Sequence, residues 1–238
     1  MIENSKLIPI FIGYDYRERA AANVLIDSLY QNSSSPITIC PLVTPQLSNK
    51  GIFNRVREKK QSTDFSFTRF LVPFLMGYEG WAIFMDCDML CSDDINNLWD
   101  QRDEKYSIMC VKHNHSPTEN IKFQGEIQSS YPKKNWSSLM LFNTSKCKAL
   151  TVDYINSASG LDLHRFNWLE SEEFIGDIKG SWNHLIGVSE NPEKYTNTLP
   201  SLMHWTLGGP WFKDQRFMGG ELAAAWFRAR DNMSKLWD

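Results

Sequence analysis

Two aspartates separated by a single residue close a hydrophobic run: Trp81 to Met85 (WAIFM) leads directly into Asp86-Cys87-Asp88. Side chains at i and i+2 of an extended chain point the same way, about 7 Å apart along the strand. A cation can sit against both carboxylates, above all where the strand turns. Carboxylates beside a buried strand are costly unless they are paired or bind a metal, which sets this pair apart from an ordinary acidic loop. In open α/β sheets, ligands gather at the carboxyl ends of strands, the place this pair takes.

The second chemical feature is His204-Trp205-Thr206-Leu207-Gly208-Gly209-Pro210-Trp211, which follows the apolar run Leu199 to Met203. The histidine therefore also falls at the end of an expected strand. Gly208 and Gly209 allow a close backbone approach to a ligand, and their N–H groups can face phosphate oxygens. Oxygen ligands with one imidazole suit Mn²⁺ well and Mg²⁺ somewhat less. Taken alone, His204 also reads as an ordinary hydrogen-bonded histidine.

These residues need a frame. Leu7 to Ile12 (LIPIFI) is an apolar run suited to a strand buried on both faces, broken by Gly13-Tyr14-Asp15. Ala20, Ala21, Val24, Leu25 and Leu29 then recur at helical spacing, and Ile37 to Leu42 reads as a second strand. A β-α-β order implies parallel pairing. Residues 44–62 read as loop. Phe67, Phe70, Leu71, Phe74 and Leu75 mark one amphipathic helix with a kink at Pro73, where Arg69 would lie on the solvent side. Gly77 to Gly80 reads as a turn before the WAIFM strand, and Ser92-Asp93-Asp94 starts a helix.

Tyr106 to Val111 and Leu139 to Phe142 read as strands, with an irregular stretch over 113–137 between them. Asn143-Thr144-Ser145 reads as the start of a helix ending near Gly160. Trp182 to Ile186 reads as extended, and Glu221 to Trp237 as an amphipathic tail helix. The sum is one α/β domain over 1–238, with a mostly parallel sheet flanked by helices and a helical C-terminus over 219–238.

Composition sets outer limits. A formal net charge of −3 argues against nucleic acid, which is usually met by a basic excess. Arg55, Arg57, Lys59 and Lys60 form the densest basic patch, and it reads as a solvated loop. Five cysteines without a paired spacing fit a reducing, cytoplasmic setting better than a disulfide framework. The opening residues, with Glu3 and no long apolar run, predict no signal peptide, and no stretch reaches the ~18 apolar residues of a membrane span. The few basic residues of the tail favour packing on the domain but leave peripheral membrane contact open.

The ordered set IGYD, TRFLVP, FMDCDML, SSLMLFN, SWNHLIG and HWTLGGPW resembles the retaining glycosyltransferases of family 8, the group that includes glycogenin, over roughly Ile8 to Trp211. The resemblance implies the GT-A nucleotide-sugar fold and transfer of a hexose-type sugar from a UDP-linked donor to a glycan, lipid-linked or other hydroxyl acceptor. It implies Mn²⁺ or Mg²⁺ held by Asp86, Asp88 and His204. It also implies that Gly13, Tyr14 and Asp15 line the nucleotide, with Arg69 near the donor.

The chain departs from the family pattern in places. Gly209 stands where family members carry a diphosphate-binding lysine, which leaves that charge missing or supplied by Lys213 or another residue. Trp136-Ser137-Ser138 replaces an Asn-x-Gly segment, and the family's Asp-Gln segment has no clean match. Asn167-Trp168-Leu169-Glu170 lies in the corresponding region, making Glu170 the candidate group near the anomeric carbon. Trp136, Trp168 and Trp205 are candidates for sugar stacking, with core packing as the competing reading. Two rivals remain: a sugar nucleotidyltransferase, disfavoured by the single glycine in Gly13 to Arg17, and a non-catalytic nucleotide-sugar or glycan-binding relative.

Overall fold

A computed structural model describes residues 7–58, 61–113, 133–188 and 199–235. Strand β1 (Ile8–Tyr14), helix α1 (Arg19–Gln31) and strand β2 (Ile37–Val43) form the opening unit, with β1 and β2 parallel. The first strand runs on through Gly13 and Tyr14 rather than ending at Ile12, because both residues stay in register with Leu42 and Val43. β2 lies at the sheet edge, where the missing N–H of Pro41 is tolerated. The expected loop over 44–62 contains a short helix, α2 (Thr44–Asn49), with Pro45 in its first turn.

The aromatic segment is not one helix. It opens as a 3₁₀ turn over Thr68–Leu71 and becomes α3 (Val72–Leu75), with Pro73 where its absent N–H costs nothing. Strand β3 (Trp81–Met85) follows the left-handed turn at Gly77, Tyr78 and Gly80, and all five of its residues are buried. Next come β4 (Met89–Cys91), α4 (Ile95–Trp99), capped by the Asp94 side chain, and β5 (Ile108–Cys110), which is shorter than the apolar run around it.

β6 (Leu139–Asn143) is buried throughout. The helix expected from Asn143 begins later. Thr151 accepts the N–H of Tyr154 to start α5 (Val152–Ser157), and Ser159 does the same for Asp162 in α6 (Gly160–His164). β7 (Ile175–Asp177), β8 (His184–Leu185), β9 (Leu202–His204) and α7 (Glu221–Met233) complete the order. Gly219 and Gly220, at φ 94° and 56°, precede the last helix rather than belong to it. The segment 114–132 and residues 236–238 lie outside the described residues.

The central sheet has the order β2-β1-β3-β6-β5-β7. Only β6 opposes its neighbours: it is antiparallel to β3 and β5, while the other pairings are parallel. β3 thus sits in mid-sheet, which is why its sequence is apolar without alternation. A second sheet, β4-β9-β8, pairs Met89 with His204 and Cys91 with Leu202. α7 lies against α1, and Ala225 and Trp226 bury against Val24, Leu90, Met203 and Trp205. No described helix is long and apolar enough to cross a membrane.

Candidate active site

The chain leaves β3 at Met85, bends through Cys87 and Asp88, and enters β4. Asp86 still follows the sheet, since its N–H donates to the Ser138 carbonyl at 2.9 Å. Cys87 turns into the core and is fully buried, with its thiol pushed well up by burial and by the carboxylates around it. A ligand atom of Asp86 and one of Asp88 come within 4.8 Å of each other, closer than the ~7 Å repeat of straight extended chain.

The small sheet closes the long gap in sequence. Pairing of Met89 with His204 sets the histidine beside Asp88, and the Trp205 N–H donates to the Asp88 carbonyl at 2.9 Å. One ligand atom each from Asp86, Asp88 and His204 fall within 4.8 Å of one another. His204 is 1% exposed, and its Nε2 lies 3.2 Å from Asp88 Oδ1. Two hard oxygen donors and one borderline nitrogen, converging from two sheets, fit a divalent cation of the Mn²⁺ or Mg²⁺ type.

Arg69 corrects its solvent-side reading. It is 5% exposed and forms an ion pair with Asp86 Oδ1 at 2.9 Å. Its Nη1 donates to the Ser137 carbonyl at 2.7 Å and its Nε to the Ser66 carbonyl at 3.1 Å. The Phe65 and Phe84 rings flank the guanidinium. All four residues of this 3₁₀ turn are buried, so Arg69 has no solvent side to occupy.

Asp15 sits at the end of β1 with no exposed surface. It accepts from Arg17 N–H and guanidinium and from the Asp64 N–H. Burial alone would raise its pKa, but these donors outweigh burial and hold it below the usual carboxylate range. Gly13 admits no side chain, because a Cβ would come within 2.2 Å of the Phe65 ring. Tyr14 is half-buried beside them.

Glu18 was not singled out by the sequence. Burial, with the Asp88 charge next in weight, pushes its carboxyl up to about 8, and the Cys87 thiol donates to it at 3.4 Å. Asn183, inside the SWNHLIG motif, faces His204 Nδ1 at 2.9 Å. Nothing in local spacing marks either residue, because both contacts are made across the fold.

The glycine turn is more occupied than its sequence suggests. Gly208, at φ 96°, gives its N–H to the Trp205 carbonyl, and the Trp211 ring fills the space a Gly209 Cβ would take. Lys213 is exposed on the following 3₁₀ turn. Trp168 and Trp205 are buried, so core packing accounts for both; Trp136 is half-buried and donates to the His113 carbonyl. Glu170 is exposed in the turn after Trp168.

Comparison with known proteins bears on this arrangement. The family model for glycosyl transferase family 8 matches residues 22–149, more than half of the chain. The chain belongs to glycosyl transferase family 8. It is 44% identical over 228 residues to Protein CDI of Arabidopsis thaliana, covering 95% of this chain and 87% of that protein.

Family 8 membership agrees with the fold. The WbbM bifunctional glycosyltransferase superposes with a TM-score of 0.63 at 12% identity, covering 98% of this chain and 50% of that one, so the chain spans half the length of that protein. The galactosyltransferase LgtC, in complex with donor and acceptor sugar analogs, gives 0.59 at 11% identity over 97% and 98% of the two chains. The architecture is that of the GT-A glycosyltransferases, and the chain is a glycosyltransferase.

Proposed function

We propose that this chain, as a single catalytic domain over residues 1–238, transfers a hexose-type sugar from a UDP-linked donor to a hydroxyl acceptor with retention of configuration. The reading takes a glycan, a lipid-linked sugar or another alcohol as acceptor, and a cytoplasmic setting. The observation that carries it is the convergence of Asp86, Asp88 and His204 within 4.8 Å at the end of a buried strand. A divalent cation, Mn²⁺ or Mg²⁺, held there would supply Lewis-acid relief for charge building on the departing diphosphate.

The chain's own groups divide the remaining work. Arg69 steadies Asp86 from behind and keeps positive charge close to the donor phosphates. Gly13, Tyr14 and Asp15 form the wall for the nucleotide. Gly13 keeps that wall thin, and Asp15 fixes its shape through Arg17 and Asp64 rather than through a free carboxylate. At the glycine turn, Gly208 bends the chain while Gly209 is left to approach a phosphate. Lys213, exposed beside it, takes the role of the lysine absent at 209.

In a retaining transfer the acceptor hydroxyl attacks from the face the diphosphate leaves. The new glycosidic bond forms as the old one breaks, and the hydroxyl proton passes to the departing phosphate oxygen. Glu170 is assigned to the neighbourhood of the anomeric carbon, its exposure leaving it open to a bound acceptor. The tail helix supports the domain, since Trp226 is buried against it. Turnover of UDP-sugars to UDP with and without Mn²⁺ tests the proposal. The expected result is turnover that disappears on chelation, and equal rates in the two conditions would refute it. Nucleotide binding with no turnover would make the chain a non-catalytic relative.

A further inference from the structure

A chain of hydrogen bonds behind His204 has a defined direction. It begins at the Asn135 carbonyl, which can only accept. Ser138 Oγ donates to that carbonyl at 2.7 Å, which uses the one hydrogen the hydroxyl has. Toward Asn183 Nδ2, 2.9 Å away, Ser138 Oγ is therefore the acceptor. Asn183 Nδ2 also reaches the Asn135 carbonyl at 3.4 Å. With the amide turned the other way, its oxygen would meet two groups that offer it no hydrogen.

The amide oxygen accordingly faces His204 Nδ1 at 2.9 Å, and an oxygen there can only accept. Nδ1 must carry the hydrogen. A neutral imidazole has one N–H, so Nε2 holds a lone pair. Among the described residues Nε2 finds no hydrogen-bond partner, and it lies in the acidic cluster, 3.2 Å from Asp88 Oδ1. Asn183 is fully buried, so water does not compete for its amide.

The same turn carries the other half of the cluster. Asp86 N–H donates to the Ser138 carbonyl, and the Ser137 carbonyl accepts from Arg69, which pairs with Asp86. Thr206 Oγ1 reaches the Asn135 side chain at 3.5 Å, tying the residues after β9 to this turn. Asn135 is left-handed at φ 63°, a conformation asparagine adopts more readily than most residues.

We infer that Asn183, anchored by Ser138 and the Asn135 carbonyl, is a positioning residue that fixes His204 in the Nδ1–H tautomer and presents Nε2 as a metal ligand. The inference rests on the proposed metal site. Partners of this kind on the far nitrogen of a ligating histidine set its ring orientation and its basicity.

The test uses the full chain with ¹⁵N-labelled histidine. Long-range ¹H–¹⁵N correlation on metal-free protein, with the pH raised until the ring carries a single hydrogen, reads the tautomer directly. Wild type should show His204 protonated at Nδ1 and bare at Nε2. Asn183→Leu should mix the tautomers and weaken Mn²⁺ binding about 10- to 100-fold by calorimetry. Asn183→Asp keeps an acceptor for Nδ1–H but loses the donation to Ser138, so it should keep the tautomer and recover most of the affinity.

A purely structural Asn183 predicts the opposite ranking, with Asp no better than Leu, and that result overturns the inference. So does an unmixed tautomer with unchanged affinity in Asn183→Leu. If the leucine variant does not fold, wild type and Asn183→Asp decide: a hydrogen on Nε2 in protein that binds Mn²⁺ refutes the relay alone. Wild type that fails to bind Mn²⁺ refutes the metal site itself, and with it the purpose given to Asn183.

Discussion

Two buried acidic sites lie at the ends of neighbouring strands and are built in opposite ways. Asp15, after β1, is surrounded by donors from its own chain: the Arg17 guanidinium and N–H, and the Asp64 N–H. Asp86 and Asp88, after β3, converge on each other and on an imidazole whose outer nitrogen is already engaged by Asn183. The first site satisfies its charge internally and so holds shape. The second brings three ligand atoms together, with the Arg69 guanidinium paired to Asp86, and burial and the Asp88 charge raise the Glu18 carboxyl beside it. Burial and carboxylates occur in both, so neither marks a cation site. What separates them is convergence: Asp15 is wrapped by N–H groups of Arg17 and Asp64, whereas Asp86 and Asp88 meet a third ligand atom from His204.

Substitutions that treat the two sites alike should therefore have different consequences. The largest effect is expected on activity from Asp88→Asn, about a thousandfold or more in kcat, with the fold intact by circular dichroism. Activity near wild type would place the two sites in one class. Arg69→Met follows, acting on stability. It leaves Asp86 without its buried partner and two carbonyls without a donor, and should cost about 3–5 kcal/mol by chemical denaturation.

Asp15→Asn should cost about 2 kcal/mol near neutral pH, the scale of lost charge-assisted hydrogen bonds. Its pH dependence has a definite sign. Because the folded carboxyl lies below the ordinary 3.8, its stabilisation is fully present above that value and disappears as pH falls through the lowered one. The wild-type advantage over Asp15→Asn should thus shrink on acidification, and a gap independent of pH would show that charge plays no part. Lys213→Ala should have the smallest effect: a severalfold rise in donor KM with unchanged stability, since the side chain is exposed. No change in KM would remove Lys213 from the phosphate site.

Legibility in the sequence followed the range of the interactions. WAIFM read as a buried strand because mid-sheet position demands apolar residues on both faces, and DCD marked its end because spacing of two places carboxylates on one side. The β-α-β opening was visible for similar reasons, in apolar periodicity and the breaks between its segments. Capping chemistry was harder to read, because Thr144 and Thr151 are the same residue type and only the structure shows which one accepts an N–H at the start of a helix.

Least visible were residues whose partners are remote. Arg69 looked exposed because its three partners lie just before the 3₁₀ turn, after β3 and before β6. Asn183 fell inside the SWNHLIG motif, but its role was not readable there because its oxygen and nitrogen face elements drawn together only by the sheets.

The most direct measurement is a crystal grown with UDP and Mn²⁺, with data collected at the manganese absorption edge. The account predicts one anomalous peak bound by a carboxylate oxygen from each of Asp86 and Asp88 and by His204 Nε2. A fully occupied manganese bound elsewhere near the nucleotide, or UDP bound with no manganese among these three residues, would contradict it.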